Sequence, residues 1–123
     1  MKVAVATDDE ITIAEHFGRA RGFNIYDVKD SIIRDKQFRV NNFTGHALGL
    51  HKGGHSPDHH KIILEALRDC AVVISRGMGQ RIYNDLRGVG IQALIVDENN
   101  AETALQLFLE NKLFDNSDKG CHH

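Results

Sequence analysis

This chain is short of several things, and each shortage removes a class of function. Lysine and arginine together number 15 against 17 aspartates and glutamates, a formal charge of −2, so no cationic surface is offered to nucleic acid or membranes. No apolar run approaches the roughly 20 residues that a membrane helix needs. The opening Met1-Lys2-Val3-Ala4-Val5-Ala6 meets Thr7-Asp8-Asp9-Glu10 too soon for a signal peptide. The expectation is a cytoplasmic protein with no nucleic-acid or membrane partner. In that compartment thiols stay reduced, so the only two cysteines, Cys70 and Cys121, are expected free or metal-bound rather than joined. Catalytic signatures are missing as well. No Ser-His-Asp order and no activated nucleophile stands out, and no G-x-x-x-x-G-K-[ST] phosphate loop occurs. A non-enzyme is expected. Histidine, by contrast, is plentiful: eight in 123 residues, mostly off the apolar pattern, which points to the handling of a metal or metal cluster.

A hydrophobic content of 41% in 123 residues suffices for one domain with a real core. Val3 to Ala6 is a continuous apolar run ended by acids, the pattern of a central strand covered on both faces. Phe23 to Val28 and Ile32 to Val40, joined by a tight turn over Asp27 to Ser31, predict an antiparallel hairpin. Asn41 to Ser56 has no periodicity and predicts a long loop. Ser56 then caps a helix with the chain's only proline, Pro57, at its first position and Ile62, Ile63, Ala66 and Leu67 on its buried stripe. Val72 to Ile74 predicts a strand, and Gly77-Met78-Gly79 a turn. Ile82, Tyr83 and Leu86 form the apolar face of a helix stopped by Gly88 and Gly90. Ile91 to Val96 is the last strand, and Asn100 caps a helix carrying Ala104, Leu105, Phe108 and Leu109. The order β-β-β-α-β-α-β-α with right-handed crossovers predicts an α/β fold, a three-layer sandwich with one antiparallel strand. Residues 1–115 form the single domain, and 116–123 a flexible Cys/His tail.

Glu15-His16-Phe17-Gly18-Arg19 places an imidazole beside a glycine in a loop, with Arg19 and Arg21 able to fork onto an anion. The plainer alternative is that His16 caps a turn, Phe17 fills the core and the arginines are solvated. Gly77-Met78-Gly79, between a strand and a helix, either offers free amides and a helix dipole to an anion or serves only tight packing. The loop histidines His46, His51 and His55, with His59 and His60 behind them, match no established zinc spacing. They either order around a metal or remain solvated. Cys121-His122-His123 joins a thiolate, which suits iron–sulfur units or zinc, to two imidazoles, or else is a solvated end. Cys70 is expected to behave as a small buried hydrophobe.

Met1 to Thr7, then His16-Phe17-Gly18-Arg19-Ala20 with Phe23 and Tyr26, then Asp69 to Ile74 followed by Gly77-Met78-Gly79 and Gly90-Ile91, resemble the dinitrogenase iron–molybdenum cofactor biosynthesis family of NifX-like carriers. The resemblance runs to about Phe114. It implies a ribonuclease-H-like α/β/α fold with a mixed five-stranded sheet. It also implies a carrier, scaffold or storage protein for an iron–sulfur cluster or nitrogenase-type metallocofactor precursor, with cluster donor and recipient proteins as partners. His16 stands at the histidine of the family's H-F-G motif, which the resemblance makes the cluster-contacting residue. Combined with the residue reading, the expected metal ligands are His16, His51, His55, Cys121, His122 and His123. Phe17, Gly18, Arg19, Gly77, Met78 and Gly79 are expected to line the cofactor site. Two rival readings exist: a magnesium-dependent hydrolase or phosphotransferase built on Asp8, Asp9 and Asp27, and a nickel or zinc chaperone built on His46, His51 and His55. A homodimer through the hairpin edge is a further expectation.

Overall fold

A computed structural model of the chain describes residues 1–41, 59–113 and 115. Val3 to Ala6, none of them reached by solvent, lie in a six-residue strand β1 (Lys2–Thr7) at the centre of a five-stranded sheet. Burial on both faces is what makes this strand read as unbroken apolar sequence instead of an alternation. Strand β2 (Gly22–Lys29) pairs antiparallel with β1, and β3 (Ile32–Val40) antiparallel with β2. On the other side β4 (Cys70–Ser75) pairs parallel with β1, and β5 (Gln92–Ile95) parallel with β4. The spatial order is β3-β2-β1-β4-β5, so β2 alone runs against the other four.

Helices cover both faces. Ala4, Ala6, Phe23 and Val73 point to one side, where α1 (His59–Ala66) and α2 (Gln80–Gly88) add Ile63, Tyr83 and Leu86. Val3, Val5, Tyr26 and Ile74 point to the other, where α3 (Ala101–Leu109) adds Ala101, Ala104 and Leu105. The helix ends follow their local chemistry. Asn100 caps α3, its side-chain oxygen accepting the Thr103 N–H at 2.8 Å. α2 closes through Gly90, whose φ of +87° turns the chain so that Gly90 N–H reaches the Arg87 carbonyl and Ile91 N–H the Leu86 carbonyl. In the hairpin, Asp30 and Ser31 both take positive φ, 55° and 61°, the pair that a two-residue type I′ loop requires.

Several boundaries differ from the sequence reading. β2 continues past Asp27 to Lys29 and confines the turn to Asp30 and Ser31. β4 begins at Cys70, because Cys70 pairs with Lys2 across the ladder and is only 3% exposed. Ile91 drops out of β5 because its N–H is spent closing α2. The Ser56-Pro57 cap, the loop after Asn41 and the tail 116–123 lie outside the described residues.

This topology gives the sheet two unlike ends. Lys2, Cys70 and Gln92 open the parallel strands at one end; Thr7, Ser75 and Ile95 close them at the other. The connections that leave β1, β4 and β5 therefore start together at the carboxyl end, where ligand sites of open α/β sheets characteristically lie.

Candidate functional site

The connection after β1 is wound tightly before it reaches His16. Asp9 accepts the backbone N–H groups of Ile11 at 2.9 Å and Thr12 at 2.7 Å, and the Thr12 hydroxyl as well. The hydrogen bonds from Thr12 and Ile11 favour the charged carboxylate and hold its pKa down at about 2. The loop is then fastened by three hydrogen bonds to two segments: Ile13 N–H to the Asn99 carbonyl, Ala101 N–H to the Ile11 carbonyl, and Ala14 N–H to the Ala6 carbonyl. Asp8 closes the next turn by accepting the Arg21 N–H at 2.9 Å.

Ala14 to Phe17 then crosses beside the end of β4. Arg76 N–H donates to the Ala14 carbonyl at 3.1 Å and Phe17 N–H to the Gly77 carbonyl at 2.9 Å. Gly77 is required here, since a Cβ at that position would stand 2.3 Å from the Glu15 carbonyl oxygen and 4.0 Å from His16 Nδ1. Ala14 and Phe17 are buried on either side, which leaves Glu15 and His16 as exposed residues on a fixed backbone. His16 stands just before the 3₁₀ turn Phe17–Arg19 but makes no side-chain cap hydrogen bond. The imidazole is therefore not consumed by the turn, and that part of the plainer reading falls away.

His16 borders an open cleft of about 460 Å³, whose charged lining comes from Asp8, Glu15, Arg19 and Arg76, with Asn99 at the rim. Arg76 faces Glu15 at 3.6 Å. Arg19 is exposed and, among the described residues, its side chain has no partner. Two guanidinium groups, two carboxylates and an imidazole thus line an open hollow at the carboxyl end of β1 and β4, where the guanidinium groups and the imidazole are the groups able to engage an anion.

The expected site residues divide. His16 and Arg19 line the cleft together. Phe17 and Met78 do not present side chains to it: Phe17 is 2% exposed against Phe23, their rings 5.3 Å apart, and Met78 is 4% exposed in the same core cluster. Anything these two offer a ligand comes from their backbone. Gly18 and Gly79 have open space where a side chain would stand, whereas Gly77 is packed under the Glu15 carbonyl; none of the three is among the residues lining the cleft. His46, His51, His55, Cys121, His122 and His123 lie outside the described residues; His59 and His60 open α1. Cys70 sits at the far end of the sheet, opposite Lys2, and burial pushes its thiol up to about 12, so it supplies no thiolate.

The aspartates of the magnesium reading do not converge. Asp8 is at the carboxyl end of β1 and Asp9 is occupied by its own turn, while Asp27 pairs with Lys2 at the amino end. Among the described residues no group of three or more His, Cys, Asp or Glu side chains is placed to hold one metal ion. Sequence reasoning missed Arg76, Glu15 and Asn99. Arg76 carried a readable signal: it is the first charged residue after the apolar run of a parallel strand and directly precedes a glycine turn.

A mixed sheet covered on both faces, with a charged cleft at the carboxyl ends of β1 and β4, defines a small α/β domain that presents its site on loops. The family model described as dinitrogenase iron-molybdenum cofactor matches residues 1–111, and the chain belongs to that family. It is 25% identical over 113 residues to an uncharacterised protein of Methanocaldococcus jannaschii, covering 92% of this chain and 89% of that one. It is 29% identical over 96 residues to the protein NifX of Klebsiella pneumoniae, covering 76% of this chain but 54% of NifX. The apo form of the orange protein from Desulfovibrio gigas has the same fold, with a TM-score of 0.69 at 19% identity over 93% of this chain and 91% of that one. Among the described residues no helix is long and apolar enough to cross a membrane.

Proposed function

We propose that this protein is a carrier or scaffold, not an enzyme, that transiently holds an anionic iron–sulfur cluster or a related metallocofactor precursor in the cleft beside His16. The observation that carries this reading is an exposed imidazole that makes no cap hydrogen bond, beside a guanidinium with no partner among the described residues, on a backbone fixed by hydrogen bonds. His16 acts as an iron ligand, and Arg19 balances the negative charge of the cargo. A cargo whose one ligand on the fixed backbone of the cleft is an imidazole can leave again once other donors let go, as delivery to a recipient protein requires. Family membership and the likeness to NifX support the metallocofactor class. In this reading Cys121, His122 and His123 form an arm that closes on the cargo, His51 and His55 add donors from the long loop, and the protein works in the cytoplasm between a cluster donor and a recipient. The sheet order with β2 reversed fits the ribonuclease-H-like label that the family resemblance carries.

The test is anaerobic reconstitution with ferrous iron and sulfide, comparing wild type and His16→Ala by iron content and visible absorption. Wild type is expected to take up iron and sulfide together, and the variant to lose most of that uptake. Equal uptake by both proteins, or none by either, overturns the reading.

A further inference from the structure

The cleft contains its own anion. We propose that the Glu15 carboxylate is a built-in competitor for the cargo: it holds Arg76 between binding events and surrenders that guanidinium when a polyanionic cluster enters. This role rests on the cluster reading of the same cleft. The backbone makes the exchange a matter of side chains alone. Arg76 N–H is bonded to the Ala14 carbonyl and Phe17 N–H to the Gly77 carbonyl, so the residues carrying the ion pair cannot draw apart. The pair itself is loose. Its 3.6 Å separation exceeds that of a charge-assisted hydrogen bond, and the Glu15 side chain is 72% exposed and free to swing into water.

The other charges of the cleft have different duties. Asp8 accepts the Arg21 N–H through one oxygen, which fixes its carboxylate in place as a standing negative charge on the cleft wall. Arg19 has no partner among the described residues and is available to an incoming anion from the start. A ligand therefore meets Arg19 and His16 first, and gains Arg76 only by displacing a carboxylate. A monoanion has little to gain from that exchange, because it replaces one single charge with another. A cluster of higher charge spans both guanidinium groups and wins it. Glu15 thus selects for charge density, and by returning to Arg76 it speeds release.

The experiment follows iron loss to excess chelator from anaerobically reconstituted full-length protein: wild type, Glu15→Gln, Arg76→Gln, Arg76→Lys and the Glu15→Gln/Arg76→Gln double variant. Glu15→Gln is expected to release iron up to about fivefold more slowly, the ceiling that an exposed ion pair sets. Arg76→Gln is expected to release faster, Arg76→Lys to fall between it and wild type, and Glu15→Gln to add nothing in the Arg76→Gln background. Release from Glu15→Gln at the wild-type rate, or an equal slowing by Glu15→Gln with and without Arg76, overturns the exchange. If His16→Ala abolishes loading while either of those results holds, the cargo reading survives without it. Loading that is indifferent to His16 overturns both.

Discussion

At residue 77 only a hydrogen atom fits. The structural reason is contact with the Glu15 carbonyl, 2.3 Å from where a Cβ would stand, and the neighbour is backbone pinned by Arg76 and Phe17, so it cannot yield cheaply. Gly77→Ala is expected to destabilise the fold by about 1–3 kcal/mol, the usual cost of overpacking, and to displace His16 so that iron loading falls with it. Gly79→Ala is the control. It has open space around the would-be Cβ and a φ of −63° that alanine adopts readily, so a change within about 0.5 kcal/mol is expected. Urea unfolding of the two variants checks this directly, and equal midpoints would mean that the close approach at Gly77 is not what shapes the His16 segment.

At the level of elements, much of the chain could be read because local chemistry and tertiary packing agree. Asn100 illustrates this: its type and position mark a helix start, and its side chain accepts the Thr103 N–H in the folded protein. Asn100→Ala is expected to cost about 1 kcal/mol, measured as a lowered urea midpoint with an unchanged slope, whereas Asn100→Ser is expected to keep most of the stability. The α2 stop at Gly90 and the central apolar strand were legible for the same reason. Strand ends were not, because they depend on ladder partners far away in sequence: Cys70 joins β4 only because Lys2 lies beside it, and Ile91 leaves β5 only because Leu86 takes its N–H. Within the site, His16 and Arg19 could be picked out by residue type. For Phe17 the sequence leaves the core and the cleft both open, and for Met78 it points only to the cleft, since an apolar side chain in a glycine loop has two sides to choose from and the choice is made by the core beneath it. Arg76 and Glu15 are brought together by two backbone hydrogen bonds between segments some sixty residues apart, which no spacing rule anticipates.

Across the whole molecule, the charged groups at the two ends of the sheet do different work. The carboxyl end leaves guanidinium groups loosely engaged beside a cleft; the amino end uses its charges as a clasp. Arg39 on the edge strand β3 grips Asp69 with two hydrogen bonds, at 3.1 and 3.0 Å, and also donates to the Ala66 carbonyl, while Lys2 reaches the same carboxylate at 3.2 Å. This ties β3, the end of α1 and the start of β1 together. The Arg39 hydrogen bonds hold the Asp69 carboxyl well below the usual carboxylate range, and the turn around Asp9 holds that group at about 2. Both groups bind a proton less readily folded than unfolded, so each stabilises the native state at pH values above the ordinary aspartate pKa of about 4. That contribution drains away as the pH falls from about 4 toward 2 for Asp9, and further down for Asp69. Solvent exposure of the Asp69 side chain, 41%, keeps the gain modest. The urea midpoint of the wild type is therefore expected to fall through this acid window, and Asp69→Asn to start lower at pH 7 and fall less steeply between pH 4 and pH 2. An Asp69→Asn protein whose acid profile runs parallel to the wild type would show that the clasp is not the group whose protonation loosens the amino end. Because His16 and Arg76 lie at the opposite end of the sheet, the same variant is expected to load iron normally at neutral pH, which separates the clasp from the cleft.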